Sequence, residues 1–279
     1  LKLAQSGARV RLAKNKLKTK GKGVKLTSLL TAGALATVMV SPMAVAASTM
    51  SDEQKKEIEQ IVHNYLVSNP EVLVEASQAL QQKQQQSMQD QAKSAIMENA
   101  EQLFTEKLAV AGNPKGDVTL VEFFDYQCIH CKKMKPIISE LIKKDSNLRV
   151  IYKELPIFGK SSEVASQVAL AAAMQGKYQQ MHDALLNLDK RLDDKLIMDT
   201  AKSLGLDMPK LEKDMNSATV KNALDENRKL AENMHLMGTP AFIVAATPAG
   251  KLKADSDPAF IPGAASKDVL QGLIDKAAG

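Results

Sequence analysis

Val118-Thr119-Leu120-Val121-Glu122-Phe123-Phe124-Asp125-Tyr126-Gln127-Cys128-Ile129-His130-Cys131 is the stretch on which the reading of this chain turns. Val118 to Phe124 is β-branched and aromatic, interrupted only by Glu122, and reads as a buried strand. After Cys128 the apolar residues Met134, Ile137, Ile138, Leu141 and Ile142 follow helical spacing, which puts Cys128 at a helix N-terminus. Unpaired backbone N–H groups and the positive end of the helix dipole favour an anion there. A cysteine thiol, with an ordinary pKa of roughly 8.5, can fall by several units in such a place. Cys128 is thereby expected to be a nucleophile and a good leaving group, and Cys131, one turn on, can close a disulfide with it. His130 supplies a further donor to the thiolate.

Two bland readings compete with this one. A structural zinc site would need two more ligands from His63, His130, His182 and His235, none in ligand-like spacing, so no metal is expected. A purely structural disulfide across so short a loop removes little unfolded-state entropy and makes a poor staple.

The net charge of +5 over 279 residues is misleading. Nine basic residues fall in the first 25, before the first acid at Asp52; without them 28 basic residues face 32 acidic ones. Nucleic acid is therefore not an expected partner. Leu26 to Ala47 is apolar and rich in small residues, and Ala44-Val45-Ala46 fits a cleavage pattern, so residues 1–46 read as a signal peptide cut after Ala46 or Ala47. An uncleaved anchor is the alternative. Export would place the cysteines in an oxidising compartment.

Residues 47–110 read as a helical segment and linker. Ile58, Ile61, Val62, Tyr65 and Leu66 mark one helical face, and Val72, Leu73, Ala76 and Leu80 a second after Asn69-Pro70-Glu71. Gln81 to Gln91 holds seven glutamines and only Met88 as an apolar side chain, so it is a solvated helix or a flexible connector. Ala92, Ala95, Ile96, Ala100, Leu103, Phe104 and Leu108 resume a helical pattern. Stripes this narrow must bury against a partner, either the following domain or the same segment of another subunit. Self-association is the preferred reading.

Residues 111–279 read as an α/β domain. Ala111 to Asp117 is a turn-rich boundary, Pro136 falls inside the helix after Cys128, and Leu148 to Leu155 reads as a second strand parallel to the first. Residues from about 157 to 236 form a helical insertion of about four helices, whose methionines suit either core filling or an adaptable peptide surface. Gly238-Thr239-Pro240 opens another strand, Ala259-Phe260-Ile261 suggests a short edge strand, and Ser266 caps a final amphipathic helix.

Residues 117–278 resemble the DsbA-type thiol:disulfide oxidoreductases of the thioredoxin superfamily. The resemblance rests on Phe123-Phe124 leading into Cys128-Ile129-His130-Cys131, Glu122 six residues before the first cysteine, Pro136, and Gly238-Thr239-Pro240. It implies an α/β thioredoxin fold with a helical insertion, preceded by an α-helical oligomerisation segment. It also implies that Pro240 is cis and faces the disulfide, that Thr239 and Ile129 meet an extended substrate peptide, and that buried Glu122 relays the proton of Cys131. Ile129 departs from the family, which typically has proline there, and this leaves the redox poise open.

The Tyr65 to Leu73 stretch resembles the N-terminal segment of oligomeric DsbA-like proteins of Gram-negative bacteria. The resemblance implies a periplasmic homodimer joined through residues 51–108, with a peripheral membrane association as a further expectation. Its substrates would be unfolded or misoxidised exported proteins, and a DsbB-like or DsbD-like membrane partner would recharge it. No cofactor is implied. The competing reading is an exported oligomeric chaperone or binding protein whose cysteines are structural.

Overall fold

The computed structural model describes residues 50–106 and 108–279; the expected signal peptide, residues 1–46, lies outside them. Contacts divide the chain into two units, one ending at Ile61 and one running from Val62 to Gly279. The dividing point falls inside the first helix, α1 (Asp52–Ser68), which has no buried residue. Ile58, Ile61, Val62, Tyr65 and Val67 are all exposed. Among the described residues no helix is long and apolar enough to cross a membrane.

The second unit is built on a five-stranded sheet of order β1-β3-β2-β4-β5, with β1 Val110–Gly112, β2 Val118–Phe124, β3 Leu148–Glu154, β4 Ala241–Ala246 and β5 Ala259–Pro262. β2 and β3 are parallel, joined through α4 (Ile129–Lys144), and the other pairings are antiparallel. Every residue of β2 and β3 is buried. That follows from helices on both faces, as the continuous apolar runs of these strands anticipate. α4 continues through Pro136.

Alternation along β2 sorts its side chains between two cores. Val118, Leu120 and Phe124 pack with Met134, Ile138 and Leu141 of α4, with Leu270 and Ile274 of α10 (Lys267–Ala278), and with the helical insertion. Val121 and Phe123 point the other way, onto Ile96 of α2 (Glu71–Glu98), Leu103 and Phe104 of α3 (Ala100–Phe104), and Leu230 and Met234. Glu122 lies between Leu120 and Phe124 in the strand and so shares the face covered by α4.

The insertion comprises five helices: α5 Lys160–Ala173, α6 Tyr178–Leu186, α7 Asp194–Ser203, α8 Met208–Met215 and α9 Ala218–Asn233. Asp193, Asp207 and Ser217 cap α7, α8 and α9 by accepting backbone N–H groups of Leu196, Lys210 and Val220. α8 escapes a periodicity reading because it has eight residues, of which only Leu211 and Asp214 are buried. Met181 and Met234 fill core, whereas Met237 is 99% exposed.

Periodicity groups Ala92 to Phe104 with the preceding stripes, but the structure separates them. Ile96, Leu103 and Phe104 are buried against the sheet of their own unit, while Leu73, Val74 and Leu80 of the same helical run are exposed. The glutamine-rich stretch between is helical, within α2. We expect Phe104→Ala to cost about 3–5 kcal/mol and Ile96→Ala about 2–5 kcal/mol. Ile58→Ala, at an exposed position, should change the stability of the subunit fold by less than about 0.5 kcal/mol. Urea unfolding of the three variants checks this order.

Candidate active site

Cys128 is the N-cap of α4, in extended conformation (φ −70°, ψ 116°), and its Sγ accepts the Cys131 N–H over 3.4 Å. Its Sγ lies 3.3 Å from the Thr239 carbonyl oxygen, so the residue before the cis Thr239–Pro240 peptide stands directly beside the reactive sulfur. Cys128 and Cys131 are not joined in a disulfide and both are buried, at 3% and 1% exposure. Ile129 and His130 are exposed, Thr239 is half-buried and Pro240 is buried.

Hydrogen bonding from the Cys131 side chain lowers the Cys128 pKa most, with further lowering from Thr239 and from the Cys131 and His130 backbone N–H groups. Burial opposes them, and the outcome is a thiol near pKa 5. Cys131 moves the opposite way: burial, the hydrogen bond to Cys128 and the Glu122 charge all hold its proton on. One sulfur is thus an anion at neutral pH and its neighbour a thiol. Glu122, 2% exposed, is pushed well above the usual carboxylate range by burial, then by Cys128 and Glu154. The arrangement offers a nucleophilic thiolate, a buried thiol and a carboxyl group able to hold a proton on the same side of the sheet. Among the described residues no group of three or more His, Cys, Asp or Glu side chains is placed to hold a metal ion.

A model of the DSBA-like thioredoxin domain matches residues 119–275, more than half of the chain. The chain belongs to the DsbA-like thioredoxin family. This is a thiol:disulfide oxidoreductase family, and the mixed sheet with its helical insertion is the DsbA-like thioredoxin fold. A second model, the copper resistance protein ScsC N-terminal domain, matches residues 54–87.

The thiol:disulfide interchange protein DsbA of Bordetella pertussis is 31% identical over 134 residues, covering 46% of this chain and 64% of that protein. Na(+)/H(+) antiporter NhaA 1 of Salinispora arenicola is 29% identical over 137 residues, or 48% of this chain, but the chain spans only 21% of that protein's length. Among solved structures, Salmonella enterica Typhimurium BcfH superposes with a TM-score of 0.70 at 30% identity, covering 81% of this chain and 97% of that one.

Within this DsbA-like site, the structure brings Cys128, Cys131, Thr239 and Pro240 together and sets Glu122 in reach of Cys131 by charge. The His130 side chain makes no hydrogen bond among the described residues; its backbone N–H acts on Cys128.

Two carboxylates escape sequence reasoning. Asp125 accepts from the backbone N–H groups of Gln127 (2.7 Å), Ile157 (2.8 Å) and Phe158 (3.0 Å) and from Ser162 Oγ (2.7 Å), tying the loop after β3 to the turn before Cys128. Glu154 accepts from Tyr126 (2.8 Å), Tyr178 (2.9 Å) and Ser166 (2.7 Å) in full burial. Burial pushes its pKa up to about 8 against the pull of those three hydroxyl donors. Their only sequence trace is an acid at the end of an apolar strand, which spacing alone cannot distinguish from a solvated strand end.

Thiolate absorbance of the reduced protein should titrate with a midpoint near pH 5 for Cys128, while Cys131, whose pKa burial and its hydrogen bond to Cys128 push up, should stay a thiol through the range in which a free cysteine ionises. Cys131→Ala should raise that midpoint, since Cys131 is its largest source of stabilisation. A midpoint near that of a free cysteine contradicts the assignment. Glu154 gains protons on folding, so its contribution to stability is complete below the unfolded carboxylate pKa and is lost as pH rises through about 8. Glu154→Gln should flatten that alkaline slope in urea unfolding at pH 6 and pH 9.

Proposed function

We propose that this protein is an exported, periplasmic thiol:disulfide oxidoreductase that introduces disulfides into exported proteins and isomerises wrong ones. The observation that carries the reading is the opposed pair of sulfurs, Cys128 held as thiolate near pKa 5 and Cys131 held as thiol, beside the Thr239 carbonyl.

In the oxidised form a substrate thiolate attacks Cys128 Sγ, the Cys128–Cys131 bond breaks, and Cys131 departs and takes up a proton, which Glu122 is placed to supply. A second substrate thiolate then attacks the substrate sulfur of the mixed disulfide and Cys128 leaves as a stabilised thiolate. The substrate loses two electrons as its disulfide forms, and the cysteine pair gains them. In the reduced form Cys128 attacks a wrong substrate disulfide, a substrate thiol later displaces it, and Cys131 resolves a stalled complex. Thr239 and Pro240 seat the substrate chain, and exposed Ile129 meets it. A membrane protein of DsbB-like or DsbD-like type restores the working redox state.

Residues 51 to about 80 join subunits in this reading. It is supported by the exposed apolar side chains Ile58 and Ile61 in the first unit and Tyr65 and Leu73 in the second, and by the match of residues 54–87 to the ScsC N-terminal domain. The export reading rests on the leader pattern in residues 1–46 and on the need for an oxidising compartment.

Cys128→Ser should abolish both oxidation of a reduced protein and recovery of a scrambled one; retained turnover would end the proposal. Ile61→Asp with Tyr65→Asp should lower the mass found by sedimentation to that of a monomer. The same variant should lose scrambled-disulfide recovery while still oxidising reduced substrate.

A further inference from the structure

A groove of about 700 Å³ opens beside Thr239 and Pro240, and its opposite wall is α2. Gln81, Gln84, Gln85 and Met88 line it at helical spacing, facing Met237 and Phe260 across it. The wall is fixed at its C-terminal end. Gln89 Nε2 donates to the Phe260 carbonyl at 3.4 Å, Lys93 pairs with Asp257 at 2.7 Å, and Ile96 is buried in the core.

The glutamines of this helix differ in how they are used. Gln86 donates to Asp90, Gln89 to Phe260 and Gln91 to Ser87. The side chains of Gln81, Gln84 and Gln85 hold no hydrogen bond to another described residue, and all three line the groove. A primary amide carries both a donor and an acceptor, as does a peptide group, so such a row can pair with main chain whatever its side chains are. The lining contains no Asp, Glu, Lys or Arg, so it favours neither acidic nor basic segments. Met88 and the 99% exposed Met237 add flexible apolar contact that tolerates many side chains. At the groove's inner end the Thr239 carbonyl lies 3.3 Å from Cys128 Sγ.

We infer that the Gln81–Gln84–Gln85 face of α2 is a main-chain-binding subsite for the extended segment of a polypeptide whose cysteine is undergoing exchange at Cys128. The inference rests on the redox reading of the site and adds to it a length of substrate contact outside the thioredoxin domain. The groove is continuous with Thr239 and Pro240, so a chain tethered at Cys128 enters it directly. The subsite therefore distinguishes polypeptides from small thiols.

The test uses the full-length protein with Gln81→Ala, Gln84→Ala and Gln85→Ala combined, which keeps good helix formers along α2. Oxidation of reduced, unfolded ribonuclease is compared with oxidation of dithiothreitol by the same preparation. We expect the ratio of the two efficiencies to fall roughly tenfold, through KM for the ribonuclease rather than kcat. A photo-crosslinker at position 84 in a Cys131→Ser background should label a cysteine-bearing peptide held as a mixed disulfide on Cys128. An unchanged ratio, or no label on a peptide that is joined to Cys128, overturns the subsite while leaving the redox function standing. Failure of the unsubstituted protein to oxidise dithiothreitol overturns the redox reading and this inference with it.

Discussion

The contact between Cys128 Sγ and the first turn of α4 governs the chemistry of this molecule. A sulfur at the N-cap takes a hydrogen bond from the Cys131 side chain, its largest source of stabilisation, and accepts the Cys131 N–H at the helix start, so negative charge placed there is stabilised in advance. Cys131, one turn into the same helix, is held as a thiol by burial, by its hydrogen bond to Cys128 and by the Glu122 charge, which outweigh one backbone hydrogen bond at Asp125. The asymmetry between two cysteines of identical intrinsic acidity comes entirely from position.

The rest of the fold holds that contact in place. β2 delivers the chain to Cys128 from the middle of the sheet, buried on both faces, and Asp125 anchors the turn between them through four hydrogen bonds. β4 brings Thr239 and Pro240 to the same sheet end because it runs antiparallel to β2, starting where β2 finishes. Strand alternation sets Glu122 on the face covered by α4. The second core, formed by Val121, Phe123, Ile96 and Phe104, fixes α2 against the back of this assembly and so gives the groove beside Thr239 and Pro240 its outer wall.

Much of this was legible in the residues. The apolar run into Cys-x-x-Cys, the helix through Pro136 and the Ser266 cap each carry a local signal, and each has its counterpart in the structure. β1 was not legible: three residues in a Gly- and Pro-rich stretch become a strand only because β3 offers an edge. The split of the N-terminal helices was hidden for a similar reason. Ile58 and Ile96 look alike in periodicity, and only the sheet's second face tells them apart. The glutamines of α2 read as generic solvent exposure until the groove showed which amides are already bonded. Glu154 became distinctive only when three hydroxyls from separate segments converged on it.

The central claim is that the fold stabilises the Cys128 thiolate. A folded pKa near 5 against an unfolded value of roughly 8.5 makes this contribution fully present above the unfolded value and lost as pH falls through about 5. The oxidised protein has no such thiolate. The decisive measurement is the unfolding free energy of reduced and oxidised protein in parallel between pH 4.5 and pH 8. The reduced form should gain on the oxidised form steadily as pH rises above about 5. A difference that stays constant across that range, or that shrinks as pH rises, would contradict the account.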